Sequence, residues 1–217
     1  MLWRFSSSHT RGSEILAAAV LATLFVGAQA TDRWWFHHFA YHTIYDREGG
    51  QMLRLVGYAP VWMLGAFVLI LHDRVPGTRQ RQWGRRGLLL IGCPAVAGLA
   101  ADVLKLLFRR ERPYVTDGLH VFRPWSVQPF STAELGLPSG EGAVAFAAAA
   151  ILARLFPEAK VVWYALAAAC ALTRVAAGAH FMSDVVLAAL LGYAVTVIVW
   201  RRYGIDVAAL ASPDARS

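Results

Sequence analysis

The stretch TRVAAGAHFMSD, residues 173–184, lies where one apolar run ends and the next begins. It spaces Arg174, His180 and Asp184 as R-x5-H-x3-D. If a helix begins near Gly178, His180 and Asp184 lie one turn apart on one face, where the carboxylate can hold one ring nitrogen and leave the other free to attack. Arg174 would then face the charged group that His180 attacks. The alternative interpretation is the polar end of a membrane helix with a capping aspartate.

Composition places this stretch in a membrane protein. Of the 217 residues, 57% are hydrophobic and only 16% are charged, and the apolar residues gather into long runs. This length favours one domain, and we assign residues 1–217 to a single membrane-embedded domain with its motifs between residues 100 and 190. The net charge of +7 does not predict a nucleic-acid partner, because the arginines lie mainly between apolar runs, as the positive-inside rule favours.

Six apolar runs predict an all-α fold, a bundle of six membrane-spanning helices. The segment HDRVPGTRQRQWGRR, between the second and third runs, holds five arginines and marks the cytoplasmic side. If the amino terminus is also inside, the ends of the runs that carry polar motifs all lie outside. We expect the first run to be an uncleaved helix, although its end, Ala28-Gln29-Ala30, resembles a signal-peptidase site. The runs span residues 15–30, 55–71, 88–108, 139–156, 161–177 and 185–200.

Two polar segments lie between these runs. Residues 31–52 mix aromatic and charged side chains, a composition typical of the membrane–water boundary. We interpret their histidines, His37, His38 and His42, as interfacial, because no carboxylate or cysteine completes a metal-ligand set. Residues 109–137 form a loop longer than most connections and therefore a candidate lid or head-group site. The prolines of this loop argue against a helix within it.

A cationic segment, KLLFRRERP, ends the third run. Lys105 and Arg112 are seven residues apart, two turns along one helix face, and Pro113 ends the helix, so that the two cations converge. We place Arg109 on the same face. Asp102, one turn before Lys105, is the candidate partner of Lys105. Snorkelling of basic side chains at a helix end is the alternative. It is weakened because the positive-inside rule would remove these cations from the outer side.

The fourth run opens with Pro138-Ser139-Gly140-Glu141. A serine and a glycine at a helix start offer unpaired amides, a hydroxyl and no side-chain bulk, which together suit a phosphate oxygen. An ordinary serine N-cap is the alternative. All three polar segments fall at the same face of the predicted bundle, where such a cluster of charged side chains is costly without an anion to hold. The combination therefore predicts a phosphate site.

The order K-x6-RP, PSG and R-x5-H-x3-D resembles the type 2 phosphatidic acid phosphatase superfamily, membrane lipid phosphatases whose site is related to that of vanadium haloperoxidases. The resemblance implies that His180 attacks phosphorus as the nucleophile and that Asp184 orients it. It implies no metal or other cofactor, in agreement with a reaction that chiefly needs in-line positioning and neutralised equatorial oxygens. The residues that would hold the phosphoryl oxygens are Lys105, Arg112, Ser139, Gly140 and Arg174.

Two positions depart from the family pattern. Thr173 stands in place of the usual serine and keeps a hydroxyl. Glu141 stands where the second motif normally ends in the histidine that serves as general acid for the leaving group. A similar Ser-Gly-Glu in some lipid A phosphatase-like members favours that branch. We expect Glu141 to be protonated and to act as the catalytic acid, because a fixed anion beside a phosphate site would repel the substrate. If Arg112 and Arg174 instead keep it ionised, it is their structural partner, and only substrates with an easy leaving group, such as a diphosphate, should turn over well.

The sequence thus predicts a bacterial inner-membrane phosphatase that acts on a phospholipid or lipid-linked phosphate at the outer, periplasmic face. Lipid A-type phosphate and undecaprenyl diphosphate are the leading substrates, with a phosphohistidine intermediate implied by the resemblance. A lipid-to-lipid phosphotransferase and a non-catalytic lipid-binding or transport relative are the alternatives. The membrane spans disfavour a vanadate-dependent peroxidase. The oligomeric state stays open.

Overall fold

The computed structural model describes residues 7–41, 43–74 and 84–204. Within these ranges the regular elements are helices, which confirms the all-α class, and β-type pairing is limited to two isolated bridges, Arg110 with Phe122 and Glu111 with Leu135. Short 3-10 turns cover Ile44–Asp46 and Pro157–Ala159. The α-helices are α1 Ser7–Phe39, α2 Glu48–Leu55, α3 Ala59–His72, α4 Arg85–Phe108, α5 Pro113–Thr116, α6 Gly140–Leu155, α7 Lys160–Ala176 and α8 Met182–Tyr203.

Fewer helices than expected have the length and hydropathy of a membrane span. Among the described residues α4, α8 and the segment Pro157–Ala176 are long and apolar enough to cross a bilayer. Helices α2 and α3 pass the same criterion only when they are taken together, and they are bent by 60° at the break between them. If this bent pair crosses the membrane as a single segment, it is a fourth span. Helix α6 has 16 residues, fewer than the roughly 20 that cross a bilayer. The six-span bundle therefore stays a prediction.

Helix α6 lies at the centre of the fold, packed against α4, α7 and α8. Its run of alanines is buried, and these small side chains let the neighbouring helices approach closely. Gly192 of α8 shows how close this packing is, because a Cβ there would lie 2.7 Å from the backbone nitrogen of Ala147. The central position of α6 places its amino terminus, the Ser139–Glu141 segment, among the ends of the surrounding helices.

Contacts at the helix ends define two ends of the bundle. At one end Arg86 of α4 pairs with Asp73 after α3, and Arg85 donates a 3.0 Å hydrogen bond to the carbonyl oxygen of Tyr203 in α8. The loop residues 75–83, which carry part of the predicted cytoplasmic anchor, lie outside the described residues. The carboxyl ends of α4 and α7 and the amino ends of α6 and α8 therefore share the opposite end. This arrangement places the three polar motifs together, as the order of the runs predicts.

The polar segments contain more helix than the sequence predicts. Helix α1 continues through Phe39, so the first part of the segment 31–52 is helical, and His42 lies outside the described residues. Helix α5 begins at Pro113, inside the loop that was expected to have no helix, and that expectation is wrong for these residues. The physical reason is that proline is favoured in the first turn of a helix, where its missing N–H is not needed.

Candidate active site

Three loops meet at the motif-bearing end of the bundle. The backbone N–H of Ser139 donates to the carbonyl oxygen of Asp184 at 3.1 Å, which ties the start of α6 to the start of α8. The N–H of Gly136 donates to the carbonyl oxygen of Arg110 at 2.7 Å, which ties the loop before α6 to the chain after α4. These bonds fix the backbone on which the candidate catalytic side chains stand.

His180 is 3% exposed and held by the main chain of the loop before α6. Its Nδ1 lies 3.0 Å from the carbonyl oxygen of Gly136 and 3.5 Å from Oδ2 of Asp184. Because a carbonyl oxygen only accepts, Nδ1 carries the proton and Nε2 keeps a free lone pair. Helix α8 begins at Met182 and not near Gly178, whose φ of 67° is left-handed, so His180 precedes the helix. The expected one-turn pairing on a helix face is therefore wrong, although the two side chains do meet.

The ring of His180 is kept neutral by its surroundings. Burial lowers the pKa of His180 to about 4. The carboxylate of Asp184 opposes this change, and the positive charges of Arg174 and Arg112 add to it. The histidine is consequently unprotonated at neutral pH, which is the state that a nucleophile requires.

Asp184 sits in a buried network of charges. Its Oδ2 accepts a 2.8 Å hydrogen bond from the backbone N–H of Phe181, and its Oδ1 accepts from the guanidinium of Arg110. Arg110 also donates to the hydroxyl of Ser183 at 2.7 Å, and its NH1 lies 3.8 Å from Oδ2 of Asp32 in α1. Asp32 in turn accepts from the backbone N–H of Ser183 at 2.8 Å. Arg110 therefore neutralises two fully buried carboxylates and connects α1 to the partner of His180.

Lys105 and Gly140 bring the first and second motifs together. The ammonium of Lys105 donates to Oδ1 of Asp102 at 2.8 Å, which confirms the expected pairing. A Cβ at Gly140 would lie 3.1 Å from the same ammonium nitrogen, so the glycine keeps the space beside the cation free. Ser139 is a true N-cap, since its hydroxyl accepts from the N–H of Gly142 at 3.2 Å. The N–H groups of Gly140 and Glu141, which precede Gly142 in the first turn, have no acceptor within the helix, as at any helix start.

Arg112 and Arg109 do not share a helix face with Lys105, and that prediction is wrong. Helix α4 ends at Phe108 because Arg109 adopts a left-handed conformation with a φ of 55°. Arg112 follows in extended backbone, and its N–H donates to the carbonyl oxygen of Glu134 at 2.9 Å. The guanidinium of Arg109 turns into the loop, where it donates to five carbonyl oxygens. They belong to Arg123, Pro124, Val127, Gln128 and Pro129.

Glu141 lies between two guanidinium groups. Arg54 of α2 donates to both of its carboxylate oxygens at 3.1 to 3.3 Å. Nε of Arg174 is 3.3 Å from Oε2 of Glu141, yet it is buried without a hydrogen bond. Arg174 also donates to the hydroxyl of Tyr45 at 3.0 Å. The unused N–H of Arg174 leaves a buried donor beside the catalytic cluster, which suits a phosphoryl oxygen.

Residues 86–206 match the PAP2 superfamily. The chain belongs to this family. It is also 36% identical over 174 residues to a Lipid A 1-phosphatase of Rhizobium etli, a match that covers 73% of each chain. A Lipid A 1-phosphatase of Rhizobium johnstonii is 36% identical over 124 residues, which are 55% of this chain and 50% of that protein. These relatives confirm the lipid A phosphatase-like branch. No solved structure matches significantly.

The PAP2 motif residues are brought into one cluster, but several of their partners could not be foreseen. In this PAP2 protein Arg110 holds Asp184, Asp32 contacts Arg110 and Ser183, and Arg54 holds Glu141, and none of the three has a role predicted from the sequence. The available signals were an aspartate just after the first apolar run and an extra arginine in KLLFRRERP. Within the described residues, no three His, Cys, Asp or Glu side chains are grouped closely enough to hold a metal ion.

Proposed function

We propose that this membrane lipid phosphatase hydrolyses a lipid phosphate through a phosphohistidine on His180. The observation that carries the proposal is the bond from Nδ1 to the Gly136 carbonyl, because it aims an unprotonated Nε2 away from the loop. The positive charges of Lys105, Arg112 and Arg174 supply the charge neutralisation that phosphoryl transfer needs. The first-turn N–H of Gly140 and the hydroxyl of Ser139, whose own N–H is bonded to the Asp184 carbonyl oxygen, would complete the anion site.

The reaction then has two steps. In the first, Nε2 of His180 forms a bond to phosphorus while the bond from phosphorus to the lipid oxygen breaks. The lipid oxygen leaves with the bonding electrons and takes a proton from water, and the ring becomes positively charged. Asp184 stabilises that charge through its position beside Nδ1. In the second, water attacks phosphorus and gives up a proton to the solvent, the bond to Nε2 breaks, and phosphate is released with the neutral ring restored. The charges on the phosphoryl group and on the ring each face a side chain of opposite charge, so we propose that no metal is required.

A lipid A-type phosphate is the leading substrate, since both relatives are Lipid A 1-phosphatases. Undecaprenyl diphosphate is the second candidate. The test is phosphate release by the purified protein from lipid A, undecaprenyl diphosphate and phosphatidic acid, with and without a chelator. Free phosphate supports a hydrolase, phosphate found on an added acceptor lipid supports a phosphotransferase, and lipid binding without either product supports a non-catalytic relative.

We propose that Glu141 is an ion-pair partner of Arg54 and Arg174 and not the catalytic acid. The support is its geometry: Arg54 donates to both of its carboxylate oxygens, and Nε of Arg174 lies 3.3 Å from Oε2. In this role Glu141 positions Arg174 for the phosphoryl oxygen. The leaving oxygen then departs without a proton from Glu141, which favours substrates with an easy leaving group.

Glu141→Gln discriminates the two roles. As a positioning residue, Glu141 should contribute similarly to every substrate, so we expect kcat/KM to fall by about tenfold on lipid mono- and diphosphates alike. As an acid it should matter mainly for a monophosphate, where a general acid contributes roughly a hundredfold or more. The measurement is kcat/KM on both substrates, with Glu141→Asp as the variant that keeps the charge. A loss confined to the monophosphate would contradict the positioning role.

We propose that residues 1–217 form one domain in the inner membrane, with the site facing the periplasm. The support is that Arg85 and Arg86, which contact Tyr203 and Asp73, lie at the end of the bundle opposite the motif residues. The positive-inside rule favours the cytoplasmic side for these arginines. We expect a cysteine at exposed Ser126, in protein lacking Cys93 and Cys170, to react with an impermeant thiol reagent in intact cells. A cysteine at Glu158, at the opposite end of α6, should react only after lysis. The reverse pattern would reverse the topology.

A further inference from the structure

The buried carboxylate of Asp32 belongs to α1, which lies outside the segment 86–206 that matches the PAP2 superfamily. It reaches the start of α8 across 151 positions of sequence. Its Oδ1 accepts a 2.8 Å hydrogen bond from the backbone N–H of Ser183, and its Oδ2 accepts from the Ser183 hydroxyl. A buried carboxylate is costly unless it is paired, so these contacts indicate a defined task for Asp32 at the start of α8.

Helix α8 begins without a capping side chain of its own. Phe181 occupies its N-cap position, and a phenyl ring has no oxygen that could accept from the N–H groups of the first turn. The N–H of Ser183, the second residue of the helix, therefore takes its acceptor from Asp32 of another helix. A carboxylate suits this place because the amino end of a helix carries partial positive charge. Asp32 thus caps α8 from α1.

The turn that Asp32 caps carries the candidate catalytic pair. His180 lies two residues before α8 and Asp184 is its third residue, so the start of the helix sets the 3.5 Å separation of Nδ1 and Oδ2. The guanidinium of Arg110 lies between the two carboxylates, with NH1 3.8 Å from Oδ2 of Asp32 and NH2 bonded to Asp184. A shift of this turn would therefore move Asp184 relative to the ring of His180.

The loop between α4 and α6 also contacts Asp32. Nε2 of His120 lies 3.1 Å from Oδ2 of Asp32, within range to donate to the carboxylate. The His120 ring packs edge-on against Phe181, with ring centres 4.7 Å apart. Gly118 has a left-handed φ of 74°, and a Cβ there would lie 2.7 Å from the ring of Phe36 in α1. The loop is therefore fitted closely to α1, which keeps His120 on Asp32.

We propose that Asp32 is a positioning residue for the reaction, which caps α8 from α1 and, together with His120, holds Asp184 at the ring of His180. This inference rests on the proposed phosphatase function of His180. Asp32 does not touch the substrate in this role but acts through Arg110 and Asp184. Helix α1 then contributes to turnover although it lies outside the PAP2 match.

The kinetic test uses the lipid phosphate that the unmodified protein hydrolyses fastest. For Asp32→Ala we expect kcat to fall on the order of 10²-fold, because a shift of about 1 Å in a catalytic group can cost that much. KM should stay within about twofold, since the phosphate-binding cations are unchanged. Asp32→Asn keeps one acceptor oxygen for Ser183 and should lose only about tenfold, so it decides the question if Asp32→Ala does not fold. Arg33→Ala removes an exposed neighbour and should change neither constant.

His120 supplies a second, smaller effect on kcat. His120→Ala should lower kcat by about fivefold, the loss typical of one hydrogen bond, and His120→Gln, which keeps a donor, should resemble the unmodified protein. In Asp184→Ala protein, adding Asp32→Asn should lower kcat by no more than about twofold, because the residue that Asp32 positions is absent. An unchanged kcat in both Asp32 variants, or losses that multiply in the Asp184→Ala background, would overturn the proposal.

Hydrogen exchange separates this inference from the phosphatase function. Exchange of the backbone amides of residues 183–186 is measured by mass spectrometry on the folded proteins in detergent. These amides should exchange about fivefold faster in Asp32→Asn than in Arg33→Ala, as expected for a weakened helix cap. Faster exchange supports the hold of Asp32 on α8 even if the unmodified protein releases no phosphate from any lipid. Unchanged exchange refutes the cap, whatever the protein hydrolyses.

Discussion

His180→Ala should abolish turnover on every lipid phosphate, with a loss on the order of 10⁴-fold or more, as for other removed nucleophiles. The reason is that Nδ1 of His180 is committed to the carbonyl oxygen of Gly136, which leaves its Nε2 unprotonated among the motif residues. In the unmodified protein, acid-free quenching during turnover of phosphate-labelled lipid should trap a phosphoenzyme that is lost on treatment with acid. The variant should show none.

Asp184→Asn is the matched comparison for this prediction. It keeps the shape of the side chain but removes the negative charge that orients the imidazole ring of His180, so that turnover should slow without vanishing. Its phosphoenzyme should still form, at a reduced rate. Normal activity in the His180→Ala protein would rule out the phosphohistidine mechanism, and a trapped phosphoenzyme in that variant would place the nucleophile elsewhere.

Arg110→Ala should cost both stability and activity. Arg110 is 1% exposed and stands between the carboxylates of Asp184 and Asp32, which are themselves 0% and 1% exposed. Its removal takes the guanidinium away from two buried carboxylates, of which Asp32 keeps Nε2 of His120 at 3.1 Å, and breaking such a buried pair typically costs about 3–5 kcal/mol. Thermal unfolding in detergent should therefore occur at a clearly lower temperature, and kcat should fall because Asp184 is no longer held.

Two further variants make this prediction specific. Arg33→Ala removes an exposed arginine next to Asp32 in α1 and should change neither the unfolding temperature nor kcat. Adding Asp32→Asn to Arg110→Ala removes one of the two unbalanced charges, so it should recover part of the lost stability. An unchanged unfolding temperature in Arg110→Ala would show that the network does not stabilise the fold.

The motif residues could be predicted from the sequence because their types and spacings carry the chemistry. His180, Asp184, Lys105 and Arg174 all reach one end of the bundle, and the order of the apolar runs is sufficient to bring them there. The residues that hold them could not be predicted in this way. Arg54 reaches Glu141 across 87 positions of sequence, and such a contact depends on how α2 folds back at its break.

The predicted position of Arg112 is wrong because the helix ends at a point that the residue types do not mark. The seven-residue spacing predicts that Arg112 shares a helix face with Lys105 if the helix continues to Pro113. The helix ends nevertheless at Phe108, since Arg109 takes the left-handed conformation that glycine usually supplies at this position. The five carbonyl oxygens that bind its guanidinium stabilise this conformation, and they come from a loop whose path is not encoded locally.

The acceptor that sets the tautomer of His180 is a main-chain oxygen. Because this oxygen belongs to the main chain, no side-chain substitution removes it, and the residue types in the sequence do not indicate its role. What can remove it is a change in the path of the loop, and Gly136 has little freedom to move, because a Cβ there would lie 2.9 Å from Oδ2 of Asp184. The tautomer of the proposed nucleophile therefore depends on the path of the chain between α4 and α6, and we expect that a change in that segment can abolish activity even when every motif residue is present.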